Sequence, residues 1–186
     1  MELWIPSQSI QINKVQVQPF KMEDRYSIAP FTYTDGNLKL NNFIIVTPPL
    51  TINYYDQSTG RLQFDLTENY QFNIKMNSLQ SFIISYLFIN QSTLFGGAPS
   101  LYTYEDIQGM MQYLVYKNKM TLYTGSNRPI TIIEEDTGSP QRTPLKSGDK
   151  VRCVIKLRGI SCSFNFATGS MHMRFQHTLK AVYRLR

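Results

Sequence analysis

The sequence has 186 residues, 42% hydrophobic and 17% charged, with 19 Lys+Arg against 13 Asp+Glu for a net charge of +6. A chain of this size suits one domain that buries about two-thirds of its unfolded surface, and its low charged content argues against bulk disorder. Two cysteines rule out a disulfide framework, Met1-Glu2-Leu3-Trp4-Ile5-Pro6 shows no secretory leader, and the apolar stretch Phe82–Ile89 falls far short of the roughly 18 residues of a membrane span, so a soluble intracellular chain with reduced thiols is expected.

Ile10, Ile12, Val15 and Val17 predict an N-terminal strand stopped by Pro19. Asp35-Gly36-Asn37 is a hairpin-type turn, and Leu38–Val46 after it is a β-rich run ending at Pro48-Pro49. Gln57–Gly60 forms the turn before Arg61–Leu66, where Leu62, Phe64 and Leu66 alternate onto one face. Two stretches carry helical spacing. From Asn77 as cap, Leu79, Phe82, Ile83, Tyr86 and Leu87 predict a helix near 77–89; from Thr103 as cap, with Glu105 and Asp106 in the first turn, Ile107 to Val115 predict one near 103–117. Met120–Thr124 and Ile130–Glu134 follow as short strands, with tight turns at Asp136–Pro140 and Ser147–Asp149. Val151–Leu157 and Met171–Leu185 are the last strands. One mainly β domain over 1–186, with two inserted helices, is the expected architecture.

The charge is uneven. Residues 1–93 carry six Lys/Arg and seven Asp/Glu, whereas Arg142 to Arg186 carry ten basic residues against Asp149 alone. In 171–186 the odd positions include Met171, Met173, Phe175, Leu179 and Tyr183, and the even ones Arg174, Lys180, Arg184 and Arg186. Period two therefore predicts a core face and a cationic face. Arg152, Lys156 and Arg158 alternate in the same way with Val151, Cys153, Ile155 and Leu157, so neighbouring strands would merge seven cations into one surface. Any antiparallel sheet shows a polar face to solvent, and basic edges discourage aggregation. The lack of an acid on this face favours an anionic ligand, because like charges repel until one binds. Tyr54, Tyr55, Phe164 and Phe166 flank turns and are candidate platforms for stacked bases.

Catalytic signals are nearly absent: there is no phosphate loop and no nucleophile elbow. Glu134-Glu135-Asp136 read as a solvated turn. His172 and His177 fall on opposite faces of a strand, and the spacing of Cys153 and Cys162 matches no zinc motif. No metal, no cofactor and no enzymatic activity are expected.

Leu145 to Ile160, followed by Met173 to Val182, resembles the end of the single-stranded DNA-binding proteins of large eukaryotic DNA viruses, which are akin to the phage-type OB-fold proteins. Leu38-x-Leu40 and Ile45-Val46-Thr47-Pro48-Pro49 resemble that family's "hydrophobic, Thr-Pro" element, and Asn77–Ile89 sits where the family places a helix. Two differences stand out. Met173 and Phe175 occupy positions near which the family has Gly and Trp, and the sequence closes on Tyr183-Arg184-Leu185-Arg186 rather than an acidic tail. The resemblance implies an OB-like antiparallel β-barrel that grips single-stranded DNA, in preference to RNA and without sequence preference, at a viral replication site in the host cytoplasm or nucleus. Arg152, Lys156, Arg158, Arg174, Lys180 and Arg184 would contact phosphates. A structural protein of a virus particle, a minor capsid or assembly component, would use the same basic strand and is the alternative; self-association and contact with replication or capsid proteins stay open.

Overall fold

Runs that alternate buried and exposed side chains dominate the computed structural model, which describes residues 3–23, 26–94, 102–124, 131–140, 143–165 and 167–185. The first strands are β1 (Ile5–Pro6), β2 (Val15–Val17), β3 (Lys21–Glu23), β4 (Tyr26–Asp35), β5 (Leu38–Leu40) and β6 (Phe43–Val46). A meander of β7 (Leu50–Asp56) and β8 (Arg61–Asp65) leads into helices α1 (Tyr70–Ile89), α2 (Gln91–Leu94) and α3 (Tyr104–Met110). Short strands β9 (Met111–Gln112), β10 (Val115–Tyr116), β11 (Lys119–Tyr123) and β12 (Ile132–Glu134) precede the long pair β13 (Lys150–Asn165) and β14 (Ser170–Arg184).

The fold is mainly β, with one large open sheet and few helices. Strand β13 is its spine. One edge pairs with β14 over its length; the other takes β7, β6 and β4 in turn. The sheet is mixed rather than wholly antiparallel, because β1 runs parallel to β6, and β9 and β12 run parallel to β14. From β13 the order β7, β8, β11 curls back toward β14. There the Tyr123 amide donates to His177 Nε2 (3.0 Å), so a side chain makes the link that a ladder bond would make in a closed barrel. Phe31, Phe43 and Phe64 are fully buried beneath this curve, each stabilising by up to about 3 kcal/mol.

Helix α1 starts seven residues before the expected position. Its buried face runs through Phe72, Met76, Leu79, Ile83 and Leu87, and Asn77, expected as the cap, instead donates to the Asn73 carbonyl one turn back. The polar Asn73 and Gln80 are buried on the same helix and obscure the stripe in the sequence. Thr103 does cap α3, with a reciprocal bond from the Thr103 amide to Asp106. That helix ends at Met110 rather than near 117, since Gln80 takes up the backbone of the next segment and draws Leu114 and Val115 in as extended chain. The run 38–46 is likewise two strands, broken at Asn41-Asn42, and the expected N-terminal strand over Ile10–Val17 is one 3-10 turn, Ile12–Lys14, followed by β2. Among the described residues no helix is long and apolar enough to cross a membrane.

Candidate nucleic-acid interface

The β13–β14 ladder contains two irregularities, and both shift side chains between faces. Val154 pairs with Ala181 and Ile155 with Leu179, leaving Lys180 as the extra residue; Leu157 pairs with His177 and Gly159 with Gln176, leaving Arg158 as the extra residue. Alternation resets at each bulge. Arg184 consequently pairs with Val151 and lies on the core side, not beside Arg174 as period two predicted. Val154 joins Ile44 and Ala181 in a small apolar cluster on the outer face.

The expected acid-free cationic face is corrected by tertiary contacts. Arg152 pairs with Glu135 (2.8 Å), Arg158 with Glu23 (2.9 Å), and Arg184 with Asp149 (3.0 Å) while also donating to the Thr143 and Pro144 carbonyls. These acids come from distant segments or a turn, so the repulsion inferred along the two strands is relieved within the chain. Lys156 lies half-buried between Ile44 and Thr178, and Lys180 is exposed at its bulge. Arg186 lies outside the described residues.

The aromatic candidates separate. Tyr54 is 48% exposed on the outer face of β7, opposite Gln63, whereas Tyr55 turns inward opposite Leu62 and packs on the core. Phe164 is 49% exposed but pairs with Met171 on the face opposite Arg174. It also stands at the far end of β13 from the β7 pairing, about 45 Å along the strand at ~3.3 Å per residue. Phe166 lies outside the described residues.

A different cluster does assemble. The Arg174 guanidinium lies 5.2 Å from the centre of the Tyr123 ring, and among the described residues no carboxylate forms an ion pair with it. Arg61 pairs with Tyr123 in the β8–β11 ladder and shares its outer face. On one side of Arg174 lies a groove of about 390 Å³ lined by Tyr26, Ser161, Ser163, His172 and Gln176; on the other lies one of about 130 Å³ reaching Arg61, Tyr113 and Tyr123. A guanidinium held by a ring rather than a carboxylate keeps its charge and donors for an incoming anion. Asp56 stands opposite Arg61 and remains ionised, because Ser58 and Thr59 hydroxyls and the Ser58 amide hold its carboxyl down at about 2.

His177 closes the inner end of this cluster. Burial, reinforced by the nearby Arg174 charge, lowers its pKa to about 4 against the opposing effect of a hydrogen bond to the Phe175 backbone. The neutral ring can thus accept from the Tyr123 amide at neutral pH. Unfolded, the same imidazole binds a proton near 6.5, so stability is full above about pH 6.5 and is lost as pH falls toward 4, by about 3 kcal/mol in all. Urea unfolding at pH 7 and 4.5 should show this loss, and His177→Gln should flatten it; an unchanged loss in the variant would remove His177 as its source.

Nothing local in the sequence marks Arg61, Tyr123 or Tyr26 as site residues. Arg61 and Tyr123 do lie on the polar phase of strands readable in the sequence, but only the pairing of β8 with β11 and the approach of β11 to β14 bring them to Arg174. A larger groove of about 720 Å³ at the start of α1 contains Glu68 and a lysine, Lys75, already donating to the Ile10 carbonyl, which makes it a poorer anion site. Among the described residues no three His, Cys, Asp or Glu side chains converge as metal ligands. Cys153 is buried, which pushes its thiol up to about 12 and leaves it protonated. Comparison with protein-family models, curated proteins and solved structures found no match to this chain.

Proposed function

We propose that the protein binds single-stranded nucleic acid, without sequence preference and without catalysing a reaction, at the groove centred on Arg174 and Tyr123. The carrying observation is the Arg174–Tyr123 pair: an aromatic face and a guanidinium with no acidic partner among the described residues, set between two grooves. Phosphates would meet Arg174 and Arg61, and bases would lie against tyrosine rings. The curl of β7, β8 and β11 from β13 toward β14 supports an OB-like reading of the open sheet. The preference for DNA over RNA, and a role in viral DNA replication, recombination or repair in the infected cell, rest on the family resemblance.

A fluorescein-labelled dT20 titration at 50 and 200 mM salt tests this. Affinity should fall with salt through counterion release. Arg174→Ala should weaken binding roughly tenfold at 50 mM and lower the log–log salt slope by about one, whereas Arg184→Ala, already ion-paired in the wild type, should leave the slope unchanged. No binding by the wild type at 50 mM salt removes the reading.

Exposed apolar side chains on α1, namely Tyr70, Ile74 and Ile89, favour the alternative of a structural or assembly protein. That role requires the chain at high copy in purified particles, which quantitative mass spectrometry would show.

A further inference from the structure

The groove beside Tyr123 does not end there. It shares Tyr113, Leu114 and Thr121 with a wider groove of about 580 Å³ that runs to Tyr116, Lys117 and Lys119 at the β10–β11 hairpin. Alternation along β11 puts Lys119, Thr121 and Tyr123 in one row on the outer face, and the ladder sets Tyr116 beside Lys119. Tyr116 is 63% exposed, and the Lys117 ammonium stands 5.6 Å from its ring centre. Lys117 is also the one non-glycine with positive φ (55°) among the described residues. The two-residue turn between Tyr116 and Lys119 demands that conformation at its first residue and so fixes where the Lys117 side chain leaves the backbone. The hairpin thus repeats the arrangement at Arg174, a cation against a tyrosine ring beside a groove.

We infer that Tyr116 and Lys117 form a second nucleotide-binding station, joined to Arg174–Tyr123 by the shared groove, so that one single strand occupies both. The inference rests on the nucleic-acid reading above. Tyr116 supplies the stacking face and Lys117 the phosphate contact. Lys119 contributes less, because Asp65 lies opposite it in the ladder, its carboxyl held ionised by the Thr67 hydroxyl and amide and by Lys119 itself. The groove still favours an anion, since Arg61, Arg174, Lys117 and Lys119 outnumber Asp65 in its lining and Asp56 opposite Arg61. From His172 to Arg174, across the 5.2 Å to the Tyr123 ring and along β11 to Lys119 the path is about 25 Å at ~3.3 Å per strand residue, room for at most about seven stacked nucleotides at ~3.4 Å each.

The test is photocrosslinking of a dT12 carrying 5-bromouracil, with the modified peptides located by mass spectrometry, alongside anisotropy titrations. The wild type should crosslink at both the Tyr116 and the Tyr123 peptides. Tyr116→Ala should weaken dT12 binding about tenfold, and Lys117→Gly should lower the salt slope by about one. Lys117→Gly is the safer variant for folding, because glycine accepts the positive φ without strain. Binding with crosslinks confined to Tyr123, and a Lys117→Gly slope equal to the wild type, would overturn the second station and leave the Arg174 site standing. No dT12 binding by the wild type at 50 mM salt would overturn both.

Discussion

Alanine at position 159 is expected to destabilise the protein by about 4 kcal/mol, or to prevent folding altogether. Gly159 sits at the second irregularity of the β13–β14 ladder, where β13 leaves β6 and begins to pair with β4. Its φ of +148° is one that L side chains rarely adopt. A Cβ there would lie 2.1 Å from the Ala29 carbonyl oxygen and 2.8 Å from Pro30 Cα, both backbone atoms that cannot rotate away. The substitution therefore adds backbone strain and forces β4 off the spine of the sheet. Urea unfolding should show a midpoint lower by about 2 M for a slope near 2 kcal/mol/M. Gly109→Ala is the matched control. Nothing lies within 4 Å of its Cβ position near the end of α3, so it should be neutral or slightly stabilising. A loss below about 1 kcal/mol for Gly159→Ala would mean that β4 and β13 are not this close.

The second large effect is expected at Gln80, which is 2% exposed in the middle of α1. Its Oε1 accepts from the Leu114 and Val115 amides, each at 2.9 Å, and its Nε2 donates to the Val115 carbonyl at 2.8 Å. Val115 lies in the β10–β11 hairpin, and its backbone groups reach α1 through this amide, which acts as a one-residue surrogate strand. Gln80→Leu keeps the volume but strands two N–H groups and one C=O away from water. At about 1–3 kcal/mol for each unsatisfied group, partly offset by the added apolar burial, the loss should be about 4 kcal/mol. Hydrogen exchange should show protection lost first at the Leu114 and Val115 amides. If those amides remain as protected as in the wild type, Gln80 does not hold the hairpin. Because this hairpin carries Tyr116 and Lys117, partial loosening should weaken dT12 binding before the Arg174 site is affected.

The strands that set up the site were readable because their signal is local. Leu62, Phe64 and Leu66 alternate without a fault, Gly36 and Gly60 sit at turns with positive φ, and Thr103 caps a helix through its own neighbour. The helix expected near 103–117 stops at Met110 because Leu114 and Val115 satisfy helical spacing as well as extended pairing, and only the buried Gln80 amide, 34 residues away in sequence, decides between them. Arg184 departs from its expected face for a related reason. After Lys180 both Ala181 and Val182 are apolar, so either phase of the strand buries one of them, and the pattern does not register the extra residue.

By itself the sequence determined a mainly β chain, its principal turns, and an excess of cations in its last quarter, since period-two burial and turn chemistry depend on residues a few positions apart. Tertiary structure alone decided which cations remain available. Glu23 and Glu135 reach Arg158 and Arg152 through chain packing, while Tyr123 reaches Arg174 only because β11 curls against β14. A +6 net charge describes the composition; the candidate site depends on where the folded chain brings its acids, and it brings none into an ion pair with Arg174 among the described residues.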